Sequence, residues 1–181
     1  MHTEQIAAID QEFDAARAAG AGVACAAGCT FCCHQRVAVL PHEAVAVLRH
    51  LREQVPASDA ERIEQRVHGN AQRIDQMTAE EHRRANLACA LLVDGRCSVY
   101  AARPLACASY HSMSRARCEH AFNHPAAMGT ASNARPVLLA LKEFCDGLID
   151  STRSDLQAAG GCATPGELHQ QLRELMLAEK K

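Results

Sequence analysis

Cys25-Ala-Ala-Gly-Cys29-Thr-Phe-Cys32-Cys33-His34 places four thiols and an imidazole within ten residues. Four more cysteines follow at Cys89, Cys97, Cys107 and Cys118. No aromatic core, phosphate loop or catalytic triad competes with this stretch. A straight helix cannot gather its thiols, because the seven residues from Cys25 to Cys32 rise about 10.5 Å. Four thiolates on one zinc, each about 2.3 Å from the metal, lie within roughly 4 Å of one another. The backbone must therefore bend if the three thiols share a centre, and Gly28 is placed for the bend. Cys32 and Cys33 are adjacent and point in different directions in either regular structure, so they need not bind the same ion.

Downstream, Leu91-Leu-Val93, Asp94-Gly95 and Arg96-Cys97-Ser-Val-Tyr100 read as a two-residue hairpin. Asp-Gly supplies the positive φ angles of a type I′ turn. That register pairs Leu92 with Cys97 on one face and sends Cys89 to the other. Cys89 and Cys97 share a centre only if the strand ends or twists before Cys89. Arg103-Pro104 predicts a new helical turn that carries Cys107.

The rest of the chain reads as helix. Residues 3–19 carry Ile6, Ile9, Phe13 and Ala16 on one stripe, with Thr3 as N-cap and Gly20-Ala-Gly22 as the stop. Val37-Ala-Val-Leu40 reads as a short extended piece. Pro41 opens a helix whose buried stripe is Ala44, Val47, Leu48 and Leu51. Ser58-Asp-Ala-Glu61 is a capping box before Ile63, Val67, Ile74 and Met77, and Thr78-Ala-Glu-Glu81 repeats the signal. The region from Ser109 to Ser132 has no clear periodicity. Pro136 opens a helix through Val137, Leu138, Leu141, Phe144, Cys145 and Leu148. Thr164-Pro-Gly-Glu167 joins a capping box to Pro at N1, followed by Leu168, Leu172, Leu175 and Met176.

The expected fold class is mainly α: one helical domain over 1–181, with a small irregular cysteine-rich hairpin and loop region. Its cysteine core spans about 25–118, with C-terminal helices at about 134–180 packing on it. The 181 residues suffice for a buried core, which must be aliphatic because the chain has no Trp, two Tyr and four Phe. Nineteen basic against twenty-one acidic residues leave a net charge of −2, which offers no attraction for nucleic acid or an anionic membrane. The N-terminus lacks the pattern of a signal peptide, and the apolar runs are too short for a membrane span. The expected location is the cytoplasm, where clustered cysteines read as metal ligands or redox groups rather than as disulfides.

Lone Cys145 and Cys162 read as small buried hydrophobes. His34, His111, His120 and His124 lie near the clusters as surface or supporting groups rather than ligands. Arg36, Arg96, Arg103, Arg115 and Arg117 are close in sequence to the thiols and available to offset thiolate charge, although each alone reads as an ordinary surface residue.

The order Cys25-x3-Cys29-x2-Cys32-Cys33, then Cys89 to Cys97-Ser-Val-Tyr100, then Arg103-Pro104-x2-Cys107 and Cys118, resembles the YkgJ-type cysteine-cluster family, a zinc- or iron-chelating domain. The resemblance covers roughly half of the chain. It implies metal chelation by Cys25, Cys29, Cys32, Cys33, Cys89, Cys97, Cys107 and Cys118, with zinc, iron or an iron–sulfur cluster as the cofactor. A similar cluster region occurs in flagellin lysine methylases, but this chain shows no glycine-rich strand–helix unit to bind S-adenosylmethionine.

Four functions compete. A zinc- or iron-binding protein, whose centre is structural or serves storage, delivery or sensing, stands first. An iron–sulfur redox protein or an accessory component of an enzyme stands second. Cys25-x3-Cys29-x-Phe31-Cys32 also matches radical S-adenosylmethionine spacing, but the alternating strand–helix pattern of that barrel is missing. Copper storage suits soft thiols, yet only Cys25/Cys29 and Cys29/Cys33 have the required Cys-x3-Cys spacing. No catalytic reaction is assignable. The metal ion is the one partner the residues specify, and a protein partner is left open.

Overall fold

The computed structural model describes residues 2–127 and 134–180. Helices α1 (His2–Ala18), α2 (Pro41–Gln54), α3 (Ala57–Ile74), α4 (Ala79–Arg84), α5 (Leu105–Ala108), α6 (Arg115–Asn123), α7 (Leu139–Ala158) and α8 (Leu168–Ala178) dominate it. Two antiparallel strand pairs complete it: β1 (Ala38–Val39) with β4 (Gly166–Glu167), and β2 (Leu92–Val93) with β3 (Arg96–Cys97). The fold is mainly α, as the residue pattern requires.

Two aliphatic cores organise the helices. Val47, Leu48 and Leu51 of α2 meet Ile63 and Val67 of α3 and Leu168, Leu172 and Met176 of α8. Ala90, Leu91 and Val99 of the hairpin region are buried in this first core, and Cys89 and Cys97 pack against it. The second core joins Ile6, Ile9 and Phe13 of α1 to Leu105 and Ala108 of α5 and to Leu141 and Cys145 of α7. Burial at about 25 cal/mol per Å² makes these stripes the main source of stability. Both cores border the cysteine segments, so the site sits between two packed helix groups.

The hairpin has the expected register, with Leu92 opposite Cys97 and Val93 opposite Arg96. Asp94 (φ 48°) and Gly95 (φ 73°) occupy its turn. The Thr78–Glu81 capping box is formed: the Glu81 amide donates to Thr78 Oγ1 and the Thr78 amide to Glu81 Oε2.

Other local signals yield to longer-range ones. Thr3 lies inside α1 rather than capping it. Ser58 also lies inside its helix, because the Pro56 carbonyl already accepts the Asp59 and Ala60 amides at 2.9 Å. The helix expected at Pro136 begins at Leu139, and Phe144 is an exposed residue of α7 rather than part of its buried stripe. Pro165 does not start α8. Strand pairing of Ala38 with Glu167 and Val39 with Gly166 holds that stretch extended, so α8 begins at Leu168 and Glu167 caps it by accepting the Gln170 amide. Within Ser109–Ser132, α6 forms behind Ser114, whose Oγ accepts the Arg117 amide; residues 128–132 of that stretch lie outside the described residues. Cys162 is exposed, not buried, whereas Cys145 is 1 % exposed.

Candidate metal centre

The first cysteine stretch is bent in the way its spacing demands. Gly28 adopts φ 83°, and the Cys29 amide donates to the Ala26 carbonyl across the turn. A 3₁₀ turn over Phe31–His34 follows, closed by the Cys33 amide on the Thr30 carbonyl. The Ala24 amide donates to the Ser112 carbonyl at 2.8 Å, which lays Cys25 beside the segment leading into α6. Helix α6 is seated on the 3₁₀ turn through Phe122, whose ring lies 5.6 Å from Phe31 and 4.8 Å from His34. That seating brings Cys118 to the first stretch.

The second group is joined to the first through the backbone. The Cys89 amide donates to the Cys33 carbonyl at 2.8 Å. The Leu92 amide donates to the Cys89 carbonyl, so a turn at Ala90-Leu91 separates Cys89 from strand β2. This is the strand ending before Cys89 that a shared centre with Cys97 requires. Cys107 arrives on α5, whose first turn is closed by its amide on the Pro104 carbonyl.

Electrostatics reports the same grouping. Burial pushes the Cys25 thiol up, and the charges of Cys32, Cys29 and Cys118 add to it. Burial pushes Cys89 and Cys97 up to about 11; Cys32 adds to both, and Cys89 also acts on Cys97. Burial likewise raises Cys107 well above the ordinary thiol range, with contributions from Cys89, Cys32 and Cys97. Cys32 is raised by its hydrogen bond with Cys33 and then by burial. The backbone thus joins two walls of thiols, Cys25 to Cys33 with Cys118 and Cys89 to Cys107, and Cys32 acts on members of both.

Cationic groups face these walls. Arg135 lowers Cys32, Arg66 lowers Cys89 and Arg103 lowers Cys97, each against the larger effects that raise those thiols. Arg103 is buried, paired with Asp10 and stacked 3.9 Å over Tyr100. Arg135 stacks 3.8 Å over Tyr110, whose hydroxyl accepts from Gln35. Of the five arginines near the cysteines in sequence, Arg103 acts on a wall thiol; Arg66 and Arg135 arrive from α3 and from the segment before α7, and nothing in their local sequence marks them.

Polar side chains from the scaffold helices hold the backbone of the cysteine segments, and residue spacing left these unmarked too. Glu43 of α2 accepts the Leu105 amide at 2.7 Å and so ties down the turn that carries Cys107. Arg66 donates to the Cys89 carbonyl at 2.9 Å and Asn70 to the Ala88 carbonyl at 2.8 Å. His169 of α8 accepts the Ala90 amide at 3.1 Å. Among the histidines near the clusters, His111 is buried between Ser109 and Leu138 backbone groups, and His34 contacts the Thr30 carbonyl.

All eight clustered cysteines are free thiols and half-buried. Among the described residues, no group of three or more His, Cys, Asp or Glu side chains forms a ready-made metal cage. The donor chemistry nevertheless suits a soft or borderline cation: many thiols, with guanidinium groups nearby to offset thiolate charge. Among the described residues, no helix is long and apolar enough to cross a membrane.

No curated protein and no solved structure matches the chain. A family model does. Residues 24–145, more than half of the chain and including all eight clustered cysteines, match CxxCxxCC, the "Putative zinc- or iron-chelating domain". Metal binding is the property by which that family is described, and the chain belongs to it.

Proposed function

We propose that Cys25, Cys29, Cys32, Cys33, Cys89, Cys97, Cys107 and Cys118 chelate zinc or iron, and that metal binding is the role of the whole domain, residues 1–181. The observation that supports this reading is the Cys89 amide donating to the Cys33 carbonyl at 2.8 Å, which joins the two thiol walls through the backbone. The charge of Cys32 acts on Cys25 of the first wall and on Cys89, Cys97 and Cys107 of the second. Tetrahedral zinc takes four donors, so eight thiols in two walls favour two ions or a cluster over one ion. Adjacent Cys32 and Cys33 can serve different metals. Free thiols in this number fit a reducing compartment such as the cytoplasm.

Charge sets a limit on each centre. Four thiolates around one Zn²⁺ leave two net negative charges, as do four thiolates around an oxidised four-iron cluster. Arg66, Arg103 and Arg135 supply positive charge where this excess would develop. An iron–sulfur redox centre is the second reading, favoured by the same backbone link between the two walls, because a polynuclear cluster accepts ligands from a wider ring than one ion does.

Anaerobic purification followed by metal analysis, acid-labile sulfide assay and an absorption spectrum decides between them. Stoichiometric zinc in a colourless protein supports the first reading. Iron with labile sulfide and visible absorption supports the second. A reduced, folded protein that takes up neither metal sinks both.

A further inference from the structure

We propose that His169, oriented by Glu167, is a positioning residue of the metal centre that sets the Cys89 segment from outside the family-matched region. The match ends at residue 145, yet α8 reaches back to the second thiol wall. The inference rests on the reading of Cys89 as a ligand.

The hydrogen bonds determine the state of the ring. His169 Nε2 faces the Ala90 amide at 3.1 Å and the Asn70 side-chain amide nitrogen at 3.4 Å. A nitrogen presented with N–H donors must be the unprotonated acceptor, so the proton of the neutral imidazole sits on Nδ1. There it donates to Glu167 Oε1 at 3.0 Å. Glu167 is held in turn: its Oε2 accepts the Gln170 amide at 3.0 Å, and its backbone belongs to β4, paired with β1. Both residues are 4 % exposed.

The array runs from a paired strand through a buried carboxylate and an imidazole to one backbone amide. Ala90 follows Cys89 directly and is fully buried, so its amide has no access to bulk water as a substitute partner. Arg66 and Asn70 hold the carbonyls of Cys89 and Ala88, and His169 holds the amide on the other side. Three scaffold side chains thus restrain three consecutive residues, while the Cys89 amide itself goes to Cys33. This is the arrangement needed to present a thiol in one direction. Glu167 also lies close enough to Cys89 for its charge to act on that thiol.

The test uses the full chain, purified under reducing anaerobic conditions, with zinc alone and cobalt alone as probes. His169→Asn retains an amide near the Nδ1 position but falls short of Ala90. His169→Gln reaches the Ala90 amide with its side-chain oxygen. His169→Asn should weaken zinc binding about 10- to 100-fold in chelator competition, the usual cost of losing a group that orients a ligand. It should also shift the cobalt–thiolate absorption bands, and His169→Gln should restore both. Equal behaviour of the two variants, or a lowered melting temperature with unchanged affinity and cobalt spectrum, overturns the proposal.

Alkylation of the metal-free protein, mapped by peptide mass spectrometry, separates this inference from the metal reading. Selective acceleration at Cys89 over Cys118 in His169→Asn, in a chain that binds no metal, supports positioning and refutes chelation. Metal binding by the wild-type chain with no change at Cys89 in the variant does the reverse.

Discussion

Glu43 offers the sharpest test of how the scaffold holds the cysteine segments. It is 3 % exposed, and its carboxylate accepts the Leu40 amide on one oxygen and the Leu105 amide on the other, both at 2.7 Å. The first bond starts α2; the second fixes α5, which carries Cys107. In Glu43→Ala both amides lose their acceptor. Leaving a buried donor unsatisfied costs about 1–3 kcal/mol, so the pair together costs roughly 2–6 kcal/mol. Glu43→Gln is the more discriminating change. Glutamine has one side-chain oxygen, so it keeps one bond and turns an N–H₂ toward the other amide. The loss should be about 2–3 kcal/mol, since the broken bond is charge-assisted. At about 2–4 °C per kcal/mol for a domain of this size, the melting temperature should fall by roughly 4–12 °C. Thermal unfolding of the metal-free protein reads this directly, and metal analysis of the same sample reports whether Cys107 is still presented. A Gln variant melting within about 2 °C of wild type would refute the account of Glu43 as the shared anchor of α2 and α5.

Four further outcomes follow from the site. Cys29→Ser and Cys107→Ser, one in each wall, should lower metal content and melting temperature together, because metal binding and folding are linked; unchanged values in both variants would remove them from the ligand set. Cys145→Ala should leave metal content intact and cost about 1 kcal/mol in denaturant unfolding, since it trims a small buried side chain in the α1–α7 core; metal loss there would mean that the centre extends further. Zinc added to the metal-free protein near neutral pH should release about one proton per thiol engaged, because burial holds the Cys89 and Cys97 thiols protonated up to about 11; calorimetry in buffers of different ionisation enthalpy measures this, and zero release would contradict thiolate ligation. In the metal-free protein, exposed Cys162 should be alkylated much faster than Cys145, whose thiol is buried and pushed up to about 11; equal rates would contradict the packing of α7 on α1.

Much of the fold was legible from local patterns. The stripe Ala44, Val47, Leu48 and Leu51 is buried in α2 as its spacing predicts, and Asp94-Gly95 makes the expected turn because few residue pairs tolerate two positive φ angles. The bend at Gly28 followed from helix rise alone. Where local signals failed, a competing partner from elsewhere in the chain won. The Thr164–Glu167 capping box lost to strand pairing with Ala38 and Val39, more than a hundred residues away. The irregular reading of Ser109–Ser132 missed α6, whose short helix depends on Phe122 packing against Phe31 and His34 as well as on its Ser114 cap.

The sequence by itself determined the clustering of eight thiols, the aliphatic helical character and the need for a bent backbone around Gly28, because thiol identity, apolar spacing and glycine freedom are properties of short stretches. Tertiary structure alone decided that the Cys89 segment is joined to the first stretch at Cys33, that Arg66 and Arg135 as well as Arg103 act on the thiols, and that Glu43 and His169 hold the backbone beside Cys107 and Cys89. Those choices depend on buried amides finding their acceptors. A buried N–H takes whichever partner the packed helices deliver, however distant in sequence.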